Sequence, residues 1–241
     1  MHLRVILPIV GDGLIESVRT EAVAWAGPGT EIDAVSLERG TASIESSYDE
    51  ALAGPGILDR VEQAAGDGVD ALFISCFGDP GVHAAREIID APVVGGFEPA
   101  VLTALSLGER VGVITVLDNV LGMLHGLVRR YGLADRMGAI RVVDLPVLGL
   151  EDHEVLLDRL HEQASEAVAT RDADVIVLGC TGMLGVARAL QDRLEDDGLY
   201  VPVVDPTGAA IGWLETAVRL GVRPSRLTYM RPPVKTRVGV R

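Results

Sequence analysis

Aromatic residues make up only 4% of this 241-residue chain, cysteines number two, and 21 lysines and arginines face 35 aspartates and glutamates. Each scarcity excludes something. With so few aromatics, no stacking platform is visible. The formal charge of −14 disfavours nucleic-acid and anionic-membrane partners, which want clustered Lys and Arg. Two cysteines are too few for a disulfide framework or a structural zinc site. No apolar run reaches the ~18 residues that a membrane helix needs. The opening LRVILPIV goes straight into a strand with no charged n-region or cleavage site, so no signal peptide is read and a cytoplasmic location is expected. No GxGxxG follows a strand and no GxxxxGK[ST] occurs, so no nucleotide cofactor is indicated. No cluster of His, Cys, Asp and Glu has metal-ligand spacing, and no G-x-S-x-G elbow is present. Cofactors and metals are therefore not expected.

What is there is a long alternation of apolar strands and helical segments, 48% hydrophobic and rich in Ala, Gly and Val. Leu3 to Val10 is a near-continuous apolar run, as expected of a parallel strand covered on both faces. A helix over 14–25 and a strand from Glu31 to Leu37 follow. Glu38 to Asp49 reads as a polar loop, long enough to be functional. A helix is expected from Ile57 to Ala65, after Pro55. Further on, helices are expected over 98–107, 118–131 (with Asp118 as N-cap), 154–170 and 208–220, and strands over 110–117, 138–143 and 201–204. Such alternation argues for α/β with parallel sheets. Two similar halves are expected: residues 1–100 together with 206–241, and residues 101–205. The closing RPPVKTRVGVR is basic and reads as a surface tail.

The strongest signal is an internal repeat. Asp70 and Asp174 open two apolar runs, and Cys76 and Cys180, the only cysteines, close them 104 residues apart. Gly81 and Gly185, Val82 and Val186, and Ala85 and Ala189 follow at the same offset, and the Pro-Val-Val at Pro92 recurs at Pro202. In open parallel sheets, ligands bind beyond the carboxyl ends of the strands, where both cysteines are expected, each before a helix. A helix N-terminus lowers a thiol pKa below its free value of about 8.5. If the halves face each other, the two thiols converge on one cleft from opposite sides. That is the geometry of a two-base racemase: one thiolate removes a proton, and the thiol on the other face returns one. Backbone N–H groups of Phe77, Gly78 and Asp79, and of Thr181, Gly182 and Met183, are candidate donors to the carbanion's oxygen, joined by the hydroxyls of Ser75 and Thr181.

Taken singly, a free cysteine is usually a small buried hydrophobe, and the Gly-Asp-Pro-Gly turn has conformational reasons of its own. Two cysteines at equivalent sites of a repeat point instead to chemistry. Glu98, at a strand-to-helix turn, either caps the helix or lines the cleft. Asp12, after the first strand, is a candidate substrate contact or a plain loop carboxylate. His83, His153 and His161 share faces with charged residues and read as solvated.

These residues resemble the aspartate/glutamate/hydantoin racemase superfamily, and within it the hydantoin racemases. The resemblance is carried by Ile44 to Leu58 (IESSYDEALAGPGIL), Ser75 to Gly95 (SCFGDPGVHAAREIIDAPVVG), Val175 to Met183 (VIVLGCTGM) and the closing PVVDPTGAAIGWLETAVRLG. It implies a cofactor-independent racemase of two Rossmann-like halves, related by a pseudo-two-fold axis, with the active site between them and Cys76 and Cys180 as the bases. It implies a 5-monosubstituted hydantoin, or a related cyclic ureide such as allantoin, as substrate, and a homo-oligomer. Leu7-Pro8-Ile9-Val10 stands where the family commonly has Asn-Pro-Asn-Thr, and Thr181 where alanine is frequent. That departure bears on the substrate more than on the reaction. The competing readings are an amino-acid racemase, a maleate-type isomerase, an arylmalonate-type decarboxylase (which keeps only the second-half cysteine) and a non-catalytic two-lobed binding protein.

Overall fold

In the computed structural model, which describes residues 1–236, two four-stranded parallel sheets repeat one design. The first contains β1 (His2–Val10), β2 (Glu31–Leu37), β3 (Ala71–Ile74) and β4 (Val93–Val94), in the order β2-β1-β3-β4. The second contains β5 (Val111–Thr115), β6 (Met137–Val142), β7 (Val175–Leu178) and β8 (Val203–Val204), in the order β6-β5-β7-β8. The two orders are the same when the strands of each half are counted from its own start. Register repeats too: Ile6 pairs with Ile74, and Ile114 with Leu178, at the carboxyl ends of the central strands. Every residue of β3, β5 and β7 is buried, which is why these strands are unbroken apolar runs.

Helices α1 (Ile15–Trp25), α2 (Ser47–Asp67), α3 (Val82–Ile88), α4 (Phe97–Ala104), α5 (Leu121–Arg130), α6 (His153–Ala169), α7 (Ala187–Asp196) and α8 (Pro206–Arg219) cover the sheets. Two differ from expectation. Helix α2 begins at Ser47, not Ile57, so part of the expected polar loop is helix. The Ser46 hydroxyl accepts from the Asp49 N–H (3.2 Å) and donates to its carboxylate (2.7 Å), a capping arrangement that starts the helix early. Pro55 then sits inside the helix, where a proline normally marks a boundary. Asp118 does not cap α5: residues Asp118–Val120 form a 3-10 turn with no side-chain cap, and α5 starts at Leu121. The basic tail is exposed over 231–236, and its part over 237–241 lies outside the described residues.

The last helix of each sheet unit crosses to the other. Phe97, Ala100, Val101 and Ala104 of α4 join the core built on β5 and β7. Ala210, Ile211 and Leu214 of α8 join the core built on β1 and β3, beside Leu3, Val5, Ala71 and Phe73. The two crossing helices also pack on each other. This exchange joins the two sheets and fixes the cleft between their carboxyl ends. Among the described residues, no helix is long and apolar enough to cross a membrane.

Candidate active site

Cys76 stands two residues beyond the end of β3, and Cys180 two residues beyond the end of β7. Both line one cavity, together with Ser75, Phe77, Gly78, Thr181 and Gly182. The turns that carry them match closely. The Cys76 carbonyl accepts from Asp79 N–H at 3.3 Å, and the Cys180 carbonyl from Met183 N–H at 3.2 Å. Gly182 N–H donates to the Cys180 sulfur at 3.3 Å, and at the equivalent place on the other turn the Gly78 N–H favours the Cys76 thiolate. Gly81 (φ 71°) and Gly185 (φ 70°) then turn each chain through the same left-handed conformation, which glycine adopts without strain.

The thiols are not poised by helix termini, contrary to the expectation from strand-to-helix order. Helices α3 and α7 begin at Val82 and Ala187, several residues past the cysteines. Burial dominates instead. It pushes the Cys76 thiol up to about 12 and the Cys180 thiol up to about 11, and the glycine N–H groups offset this only in part. Negative charge on Cys180 raises Cys76 further, as do Asp79 and Glu50, while Glu45 raises Cys180. Both sulfurs therefore favour the thiol form in this cleft, and ionisation of one disfavours ionisation of the other.

Four of the residues singled out in the sequence lie outside this cavity wall. Asp12 is exposed on its loop and accepts from the Ser36 hydroxyl at 3.0 Å. Glu98 points the other way, into an ion pair with buried Arg86. Met183 is buried in the second core. Asp79 is buried behind the Cys76 turn and accepts from the N–H groups of Phe97 (2.8 Å) and Glu98 (3.2 Å). His83 is not solvated: it is half-buried between the rings of Tyr131 and Tyr229, its Nε2 has no hydrogen-bond partner among the described residues, and burial lowers its pKa. His153 is exposed, whereas half-buried His161 pairs with Asp197 at 2.8 Å.

The rest of the wall comes from the Leu7-Pro8-Ile9 stretch, where the resemblance departs from its family pattern, and from residues to which the sequence alone gives a strand, loop or helix but no role. Leu7, Pro8 and Ile9 supply one side, Ile44 and Val147 another, and Val116, Val120, Met123 and Leu124 a third. Among the described residues, its polar side chains are Ser75, Thr115, Thr181 and the two thiols, and Thr115 is already committed to the Gly179 carbonyl at 2.9 Å. Over the top, Glu45 accepts from Val147 N–H at 2.6 Å, joining a loop of the first half to a loop of the second. Among the described residues, no group of three or more His, Cys, Asp and Glu is placed to hold a metal ion. The chemistry this arrangement can do is proton transfer by two weakly acidic thiols in an apolar slot.

Residues 3–213 match the family model described as Asp/Glu/Hydantoin racemase. A hydantoin racemase of Pseudomonas sp. (strain NS671) is 40% identical over 99% of this chain and 95% of the relative. One from Paenarthrobacter aurescens is 40% identical over 98% of this chain and 99% of the relative. Among solved structures, an allantoin racemase from Klebsiella pneumoniae aligns with a TM-score of 0.92 at 36% identity, covering 99% of this chain and 96% of its own.

Proposed function

The chain belongs to the Asp/Glu/hydantoin racemase family and is an isomerase, and on that premise we propose that it racemises 5-monosubstituted hydantoins with apolar substituents, using Cys76 and Cys180 as its two bases. The ring proton at carbon 5 is acidic because the adjacent carbonyl accepts the charge left by its removal. One sulfur, as thiolate, takes that proton. The planar enolate then receives a proton from the thiol on its other face. Both sulfurs exchange roles in the reverse direction. The Ser75 and Thr181 hydroxyls are the donors at hand for the enolate oxygen.

The observation that carries this reading is the matched pair of turns: two thiols, each on a turn closed by the same carbonyl bond and the same left-handed glycine, in one cavity. The apolar wall selects the substituent. Allantoin carries a ureido group whose donors and acceptors would face Leu7, Ile9, Val120 and Leu124. Each such group left unpaired costs about 1–3 kcal/mol, which is roughly ten- to hundredfold in discrimination.

The test is loss of optical rotation from one enantiomer of 5-benzylhydantoin in D₂O, with wild type, Cys76→Ala and Cys180→Ala. Racemisation with deuterium uptake by wild type, lost in both variants, supports the reading. Normal racemisation by either variant would sink the two-thiol mechanism. Turnover of allantoin in preference to 5-benzylhydantoin would sink the substrate assignment.

A further inference from the structure

The two halves match closely around the thiols but differ at one buried position. Asp79 and Met183 are equivalent, three residues after their cysteines. A second pair breaks the symmetry in the opposite sense. Gly95 and Asp205 are equivalent, each three residues after the proline of the repeated Pro-Val-Val. In the second half, Asp205 caps its own helix, accepting from Gly208 N–H at the start of α8 (2.8 Å). In the first half no residue of α4's own approach does this. The carboxylate comes from Asp79, whose two oxygens take the Phe97 and Glu98 N–H groups. Gly95 makes room: a Cβ there would sit 2.2 Å from the Asp79 carboxylate and 2.9 Å from its Cα. The same capping task is thus done from inside the strand-to-helix link in one half, and from the cysteine turn in the other.

We propose that Asp79 is a positioning residue for Cys76 alone: by capping α4 from the cysteine turn it locks that turn, and its charge distinguishes Cys76 from Cys180. The lock closes through two further bonds, since the Cys76 carbonyl accepts from both Asp79 N–H (3.3 Å) and Gly96 N–H (3.0 Å). Asp79 itself adopts φ 50°, a left-handed conformation that Asp tolerates better than most residues. The groups facing its carboxylate are Tyr131, whose hydroxyl lies 3.4 Å away, the Arg86–Glu98 ion pair and the Cys76 sulfur. The Asp79 charge disfavours the Cys76 thiolate, and the equivalent position on the Cys180 turn is the uncharged Met183.

This inference rests on the two-thiol reading for its catalytic consequence, so its first readout does not need turnover. Wild type, Asp79→Asn and Asp79→Gly are alkylated with iodoacetamide across a pH range, and each cysteine is followed by peptide mass spectrometry. Both substitutions suit a positive φ. Asn removes the charge and half of the cap, and Gly removes both. The expected result is alkylation of Cys76 about threefold or more faster in both variants, with Cys180 within about twofold of wild type. Where the enzyme racemises hydantoins, kcat is expected to fall about tenfold with KM within about threefold. Equal changes at both cysteines would mean general loosening and would overturn the proposal, as would no change at Cys76. A kcat close to wild type in both variants would overturn it too. Failure of wild type to racemise any hydantoin would refute the function proposed above and leave the alkylation result to decide this one.

Discussion

Glu45 spans the cleft mouth, its carboxylate accepting from the Val147 N–H at 2.6 Å across 102 residues of sequence. Its neighbour Ile44 and Val147 itself both line the cavity, so the bond holds two pieces of wall from different halves against each other. The same carboxylate disfavours ionisation of Cys180. In Glu45→Ala the mouth loses this latch, a charge-assisted bond of the kind that contributes about 1.5–3 kcal/mol. KM for a 5-substituted hydantoin is expected to rise about tenfold, the equivalent of ~1.4 kcal/mol, and Cys180 to alkylate faster. Unchanged KM in steady-state kinetics would show that the latch does not govern binding.

The raised thiols set the pH dependence. Burial disfavours the charged sulfur, so the thiolate fraction of the free enzyme is small at neutrality and grows with each step in pH towards about 11, the value of the more acidic thiol. The productive state needs one thiolate and one thiol, so log kcat/KM is expected to climb with a slope near one from about pH 7 to 9, because kcat/KM reports ionisations of the free enzyme. A plateau already reached at pH 7 would mean that a thiolate is preformed, contrary to the burial of both sulfurs.

Ile9 offers a direct test of the apolar wall. It is half-buried, so a polar replacement there disturbs the core less than one at fully buried Leu7. Ile9→Asn puts an amide into the slot, able to pair with a ureido group. The ratio of kcat/KM for 5-benzylhydantoin over that for allantoin is expected to fall about tenfold, the scale of one hydrogen bond formed out of reach of water. An unmoved ratio would show that this wall does not choose the substituent.

Two buried carboxylates couple stability to pH with an unusual sign. Burial pushes Asp79 up to about 7 and Asp205 up to about 6, against an ordinary 3.8. Below 3.8 both are protonated in folded and unfolded chains alike, and their contribution is fully present. Between 3.8 and the raised values the folded protein keeps protons that the unfolded chain has lost, so raising the pH favours unfolding. The stability they allow is therefore greatest on the acid side and declines until about pH 7, the raised value of Asp79. In Asp79→Asn the decline in Tm between pH 5 and 7.5 is expected to be shallower than in wild type. A decline as steep as wild type's, followed by differential scanning fluorimetry, would show that Asp79 titrates at an ordinary value.

Much of this is legible in the sequence, for identifiable reasons. Fully buried parallel strands announce themselves as apolar runs, and a repeat of Cys and Gly at one offset survives because both turns need the same left-handed glycine. What stays hidden depends on distance along the chain. Nothing near Asp79 indicates that its oxygens serve the N–H groups of Phe97 and Glu98, and nothing near Glu45 indicates Val147. Helix α2 reads too short in the sequence because Pro55 is a local stop signal that the cap at Ser46 and the packing of Ala53 and Ile57 overrule. Thiol acidity is hard to read because strand-to-helix order says nothing of how many loop residues lie between sulfur and helix. His83 has charged neighbours along its helix, yet two tyrosines distant in sequence, Tyr131 and Tyr229, cover it.

The crossing of α8 has a consequence for the order in which a growing chain can consolidate. Leu3, Val5, Ala71 and Phe73 are made well before Pro206–Arg219, the helix that completes the cover on this side of their sheet. The reverse exchange is better timed, since α4 is ready before the sheet it covers has been made. During synthesis the amino-terminal sheet therefore has only α1, through Val18 and Ala22, over this side until α8 arrives, while the carboxyl-terminal sheet closes on a helix already present.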